Sequence, residues 1–162
     1  MPGVSLAHNS ITLNLAFSLR SATRSRGCRV YTTDVKLGAA NDSYYTYPDV
    51  LVSCDPADRG LYIVRQPVLL AEVASPATEE FDRTEKFARY QQLPSLRHYL
   101  LVSQKSWTVE WLRRDEAGQW IYTLVKGPDA TLTIADLDLT LPLAELYDET
   151  DVAPLRAWPT AA

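Results

Sequence analysis

The run Gln66–Ser75 (QPVLLAEVAS) constrains this chain more than any other stretch. Along an extended strand successive side chains point to opposite faces, so Val68, Leu70, Glu72 and Ala74 share one face and Leu69, Ala71 and Val73 the other. A strand apolar on both faces needs cover above and below, which places it at the centre of a covered sheet. Glu72 is the exception. A carboxylate taken out of water without a partner costs several kcal/mol or shifts its pKa upward. Tyr47–Cys54 (YPDVLVSC) repeats the situation: a second apolar strand pattern, with Asp49 near its start. If the two strands are neighbours, two acids converge. At ~4 Å and an effective dielectric of ~20 they repel by ~4 kcal/mol. A shared proton, a lysine or arginine, or a divalent cation would offset that repulsion.

A candidate for the offset follows directly. Ser75–Pro76 ends the strand, and a helix is expected to begin between Thr78 and Asp82 and to stop before Pro94, which disfavours helix at Leu93. Asp82, Lys86 and Tyr90 stand at i, i+4 and i+8 and therefore share one helix face. Taken singly, each residue has an ordinary explanation. Asp49 caps a strand end, Glu72 and Lys86 form a structural salt bridge, and Asp82 and Lys86 form a surface pair. Taken together, two acids embedded in strands beside a helix-borne lysine favour a site. Hard carboxylate oxygens suit Mg²⁺, which takes few protein ligands and keeps several waters. Such a metal polarises a phosphoryl oxygen and lowers the pKa of a bound water. The lysine would orient that water or stabilise the developing charge.

The rest of the chain supports this unit. Ser5 to about Ser25 has helical periodicity, with Ile11, Leu15, Leu19 and Ala22 on one stripe widened by Leu13 and Phe17; Ser5 is the expected cap and Gly27 the expected stop. His8, in its first turns, is expected to be a partly exposed polar residue. Cys28–Leu37 is expected to be one strand, with Gly38–Ser43 as the turn of a hairpin. Arg97–Ser103 is another strand, and the helix before it predicts a right-handed parallel crossover from the Glu72 strand. Then Trp107–Arg113, Gln119–Val125 and Ala130–Leu141 alternate as an antiparallel meander, with a short helix over Leu141–Tyr147. The expected fold class is α/β of the α+β kind: a mixed sheet flanked by helices, with a C-terminal antiparallel meander. A length of 162 residues suits one domain, expected over 1–148, with a loose tail over 149–162.

Composition narrows the function. At 46% hydrophobic and 22% charged the chain is an ordinary globular protein. A formal net charge of -4 argues against nonspecific polyanion binding. The distribution is uneven: Arg20, Arg24, Arg26 and Arg29 cluster early, and Asp136, Asp138, Glu145, Asp148, Glu149 and Asp151 cluster late. Cys28 and Cys54 form neither a C-x-x-C pair nor a zinc-spaced cluster. With no leader-like or long apolar segment, no membrane association is expected and the cytoplasm is the expected location. His8 and His98 stand in no recognisable nucleophile motif, so a Ser or Cys hydrolase has no support.

Several pieces together resemble one family. SLAHN, YPDVLV, AEVASPATEEFDRTEKFARYQQLPSLRHYLLV and LDLTLPLAELYD are similar to the Uma-two family of restriction-endonuclease-like proteins, within the PD-(D/E)XK nuclease superfamily. The resemblance runs from about Ser5 to Asp148, and the block Ala71–Val102 is its most specific part. It implies a restriction-endonuclease-like fold and Mg²⁺-dependent (Mn²⁺ also serving) cleavage of DNA phosphodiester bonds. Asp49 and Glu72 match the two strand acids that hold the metal, with the Val73 carbonyl as a further ligand. The usual lysine position falls on Ala74, and Lys86 fits the migrated lysine of such families. The superfamily often carries another acid on the first helix, and none is present over Leu6–Ser25. Arg20, Arg24, Arg83 and Arg89 are the expected phosphate contacts. Cutting two strands needs two sites, so a homodimer is expected, with the Trp-bearing meander as one available surface. The rival expectation is a catalytically inactive nuclease fold kept as a binding or interaction domain.

Overall fold

In the computed structural model, residues 3–39 and 42–155 are described. Helix α1 (Leu6–Thr23) is followed by β1 (Arg29–Thr32), β2 (Lys36–Ala39), β3 (Tyr44–Thr46), β4 (Val50–Ser53), β5 (Ile63–Val64) and β6 (Pro67–Ala74). One helical segment comes next, made of α2 (Glu79–Phe81), a π-turn (Asp82–Lys86) and α3 (Phe87–Tyr90). The chain continues through β7 (His98–Ser103), β8 (Thr108–Arg114), β9 (Trp120–Lys126), β10 (Thr131–Ile134), β11 (Leu139–Pro142) and α4 (Leu143–Leu146).

Among these residues the main sheet has six strands in the order β1-β4-β6-β7-β8-β9. The expected central strand is central. β6 pairs antiparallel with β4 on one side and parallel with β7 on the other, and the helical segment makes the crossover. β8 and β9 add the antiparallel meander. The fold is a mixed α+β sheet flanked by helices.

The two faces of β6 feed two separate cores. Leu69, Ala71 and Val73 pack with Ile11, Leu15 and Leu19 of α1 and with the β10–β11 hairpin and α4. Leu70 packs on the other face with Leu37, Leu51, Tyr90, Leu96 and Tyr99, under the helical segment and a small sheet ordered β3-β2-β5. Ser5 caps α1 by accepting the His8 N–H, and Gly27 ends that region with φ 74.

Two expectations change, and two packing features are added. Cys28–Leu37 is two strands rather than one, because Asp34 takes a left-handed φ of 63 and turns the chain out of the main sheet into the small one. Aspartate tolerates that region better than most residues. Leu13 and Phe17 do not widen the core stripe of α1: they are 64% and 72% exposed on the opposite side from Leu15. Cys28 and Cys54, flanking the paired strands β1 and β4, are joined in a disulfide. The Trp-bearing meander packs inward: Trp107 stacks on Tyr147, Trp111 donates to His98 Nδ1, and Trp120 meets Phe87 edge-on. Part of the 149–162 segment runs beside Trp107, whose backbone and indole N–H groups donate to Ala153 and Val152 carbonyls; residues 156–162 lie outside the described residues. Arg26 binds Asp138 and the Asp136 carbonyl, so the basic and acidic clusters meet. No helix among the described residues is long and apolar enough to cross a membrane.

Candidate active site

The register of β4 on β6 opposes Val50 to Ala71, which leaves Asp49, one residue before β4, beside Glu72 at the mouth of a cleft. Asp49 sits where the strand begins, so its carboxylate can turn back over the neighbouring strand: Oδ2 accepts the Val73 N–H at 2.8 Å. Its other oxygen, Oδ1, is 3.2 Å from His8 Nε2. Glu72, 3% exposed, shares the face of β6 that carries Leu70 and lies under the helical segment. Its Oε1 is 3.2 Å from Lys86 Nζ and accepts a 3.2 Å hydrogen bond from the Tyr90 hydroxyl. Lys86 Nζ is also 3.2 Å from Asp82 Oδ1. The π-turn spans Asp82–Lys86, so the helix widens where it faces the acids. Single π-turns inside helices are frequent at functional sites.

These groups line one cavity of about 450 Å³, with His8, Tyr47, Asp49, Glu72, Asp82 and Lys86 on its wall. Three carboxylates face one ammonium there. Glu72 registers the imbalance: burial, and then the charges of Asp49 and Asp82, push its pKa up to about 8, against the pull of Lys86. Burial works against the Lys86 charge, yet Glu72 and Asp82 outweigh it and hold that pKa above the usual lysine value. At neutral pH the Glu72–Lys86 pair therefore keeps a proton that an isolated glutamate would have lost.

The donor set fits a divalent cation in kind: hard carboxylate oxygens from Asp49, Glu72 and Asp82 on one cavity wall, with negative charge in excess. It is not a ready-made cage. Among the described residues no three His, Cys, Asp or Glu side chains stand close enough together to hold an ion outright. Glu72 is turned toward Lys86 and Tyr90 instead. The peptide N–H of Val73, the residue expected to lend its carbonyl, is the group that fixes Asp49.

Asp49, Glu72 and Lys86 are thus brought to one cavity, with Asp82 and Tyr90 from the same helix face. His8 departs from the expectation of partial exposure: it is 7% exposed and reaches Asp49 from α1, the helix that lacks an acid. The sequence signal for it is its position one turn into the helix on the buried side, between Ser5 and Thr12. Of the expected phosphate contacts, Arg83 is engaged by Glu79 and Glu110, and Arg89 stacks over Tyr44 at 4.2 Å. Arg20 and Arg24 are exposed.

Comparison with known proteins agrees with this architecture. The sequence matches the Uma2 family, described as "Putative restriction endonuclease", over residues 1–144. It is 32% identical over 148 residues to an uncharacterized protein of Synechocystis sp., covering 91% of this chain and 77% of that protein. A second uncharacterized Synechocystis sp. protein is 33% identical over 133 residues, covering 80% and 75%. The fold is similar to the crystal structure of a putative nuclease belonging to DUF820 from Anabaena variabilis, with a TM-score of 0.73, 17% identity, and coverage of 90% and 83%. At that identity the likeness is one of fold. With its mixed sheet, its strand acids and a family match across nearly its whole length, this chain belongs to the Uma2 family of restriction-endonuclease-like proteins.

Proposed function

We propose that the protein is a divalent-metal-dependent endonuclease that hydrolyses DNA phosphodiester bonds. The observation that carries this reading is the meeting of Glu72, Asp49 and Lys86 at one cavity, with Lys86 Nζ 3.2 Å from Glu72. Restriction-endonuclease-like proteins generally use divalent metals, and here Asp49, Glu72 and the Val73 carbonyl would hold the cation, Mg²⁺ or Mn²⁺. When bound, it would polarise the scissile phosphate and favour ionisation of the attacking water. Asp49 is held in place by the Val73 N–H. Asp82 and Glu72 keep Lys86 charged and aimed into the cavity, where its ammonium stabilises the negative charge that develops on the phosphoryl oxygens. Tyr90 fixes the Glu72 rotamer.

A homodimer would supply the second site for double-strand cleavage. The edge strand β9, with Tyr122 and Leu124 exposed, offers a row of backbone groups along which a second copy can pair.

The test is nicking of supercoiled plasmid with added Mg²⁺ or Mn²⁺, for wild type, Glu72→Ala and Lys86→Ala. Wild type should nick, and each variant should lose at least a hundredfold in rate, about 2.7 kcal/mol, with its circular dichroism unchanged. Full activity in Lys86→Ala would sink the assignment. A second reading, a nuclease fold kept for binding alone, draws on the engagement of Glu72 by Lys86 and Tyr90 and on the absence of a closed ligand cage among the described residues. Under it no variant changes a metal-binding isotherm and no nicking is seen.

A further inference from the structure

We infer that His8 is a nitrogen ligand of the same cation, which makes this a mixed nitrogen–oxygen centre that prefers Mn²⁺ to Mg²⁺. The inference rests on the metal-dependent reading above and adds a donor to it.

The chain has two histidines, both buried, and they are satisfied differently. His98 uses both ring nitrogens: Nδ1 accepts from Trp111 Nε1 at 3.1 Å, so Nε2 carries the proton and donates to the Asp136 carboxylate at 2.9 Å. That is the arrangement of a structural histidine. His8 is 7% exposed, yet its Nδ1 is buried with no partner and its Nε2 points to Asp49 Oδ1 at 3.2 Å on the cavity wall. Leaving one ring nitrogen unpaired in the interior is costly. A purely packing role would be served better by an apolar side chain. What the imidazole provides is one nitrogen aimed into the cavity.

The position also fits. The Val73 N–H holds Oδ2 of Asp49, which leaves Oδ1 facing His8 alone. Two neighbouring ligands of an octahedral cation with bonds of ~2.1 Å lie ~3.0 Å apart, close to the 3.2 Å between His8 Nε2 and Asp49 Oδ1. α1 is fixed by the burial of Ile11, Leu15 and Leu19 and by the Ser5 cap on the His8 N–H, so the ring is carried on a rigid element. Carboxylate and water ligands suit Mg²⁺ and Mn²⁺ alike, but imidazole favours the transition metal. Replacing His8 should therefore weaken Mn²⁺ more than Mg²⁺.

The experiment uses the full chain loaded with Mn²⁺ and electron spin-echo envelope modulation, which reads nitrogen bound directly to the metal. Protein grown with ¹⁴N- or ¹⁵N-histidine provides the comparison without any substitution. The expected result is a nitrogen modulation that changes with the isotope, persists in His98→Gln and disappears in His8→Ala. Calorimetry on His8→Ala should show the ratio of Mn²⁺ to Mg²⁺ affinity falling about tenfold. If Mn²⁺ binds in an Asp49-dependent manner with no histidine nitrogen signal, the inference is wrong and the metal-dependent reading stands. If Mn²⁺ does not bind at millimolar concentration, both are wrong.

Discussion

Glu72→Gln offers a measurement of the electrostatics of the cavity that does not depend on catalysis. Glu72 has an ordinary carboxyl value of 4.5, and burial raises it to about 8 in the folded protein. Below 4.5 the side chain is protonated in both folded and unfolded states and contributes no pH dependence. Between 4.5 and about 8 the unfolded chain has released this proton and the folded chain has not, so stability falls by ~1.4 kcal/mol per pH unit over that window. The whole interval corresponds to ~5 kcal/mol, an upper value because Lys86 shares the proton. The amide that Glu72→Gln introduces cannot ionise. The difference in stability between variant and wild type should therefore be below ~1 kcal/mol near pH 4.5 and should grow in favour of the variant by several kcal/mol at pH 9. Urea denaturation at four pH values, at constant ionic strength and with the disulfide intact, measures this, provided the denaturant slopes match. Parallel stability–pH curves for the two proteins would show that Glu72 ionises normally and that the charge imbalance drawn from Asp49, Asp82 and Lys86 is wrong.

Two other perturbations address the frame around the site. Leu15→Ala, at a fully buried position of α1, should cost about 2–5 kcal/mol by denaturant melting; a loss under ~1 kcal/mol would mean that α1 is not seated on the sheet as described. Reducing the Cys28–Cys54 link, which closes a separation of 26 residues, should lower stability by about 3.5 kcal/mol, measured by melting with and without reductant; unchanged melting would mean that the bond is not formed.

The parts of the site that can be read in the sequence are those where chemistry contradicts its surroundings. Glu72 inside VLLAEVA and Asp49 at the head of DVLV are expensive wherever they are placed, so each demands a partner. Lys86 follows because helical spacing aligns it with Asp82 and Tyr90, and the crossover follows from the strand–helix–strand order of β6 and β7. His8 is hidden for the opposite reason. A histidine among Asn, Ser and Thr on an amphipathic helix contradicts nothing, and its partner Asp49 is 41 positions away. The break at Asp34 is masked because Tyr31, Thr33, Val35 and Leu37 keep the alternation of a strand on either side of the bend. The π-turn leaves no local mark, since widening by one residue depends on what the helix packs against. Leu13 and Phe17 mislead because an exposed apolar residue obeys no periodicity rule.

The cavity draws its two halves from opposite slabs of the molecule. His8 comes from the α1 side, Lys86 and Tyr90 from the other, and the two meet only around the rim of β4 and β6. A chain with just one slab docked would carry half of the constellation and, on the proposed reading, none of its chemistry. Whatever this cavity does, its competence is thereby tied to the seating of both slabs on the one sheet.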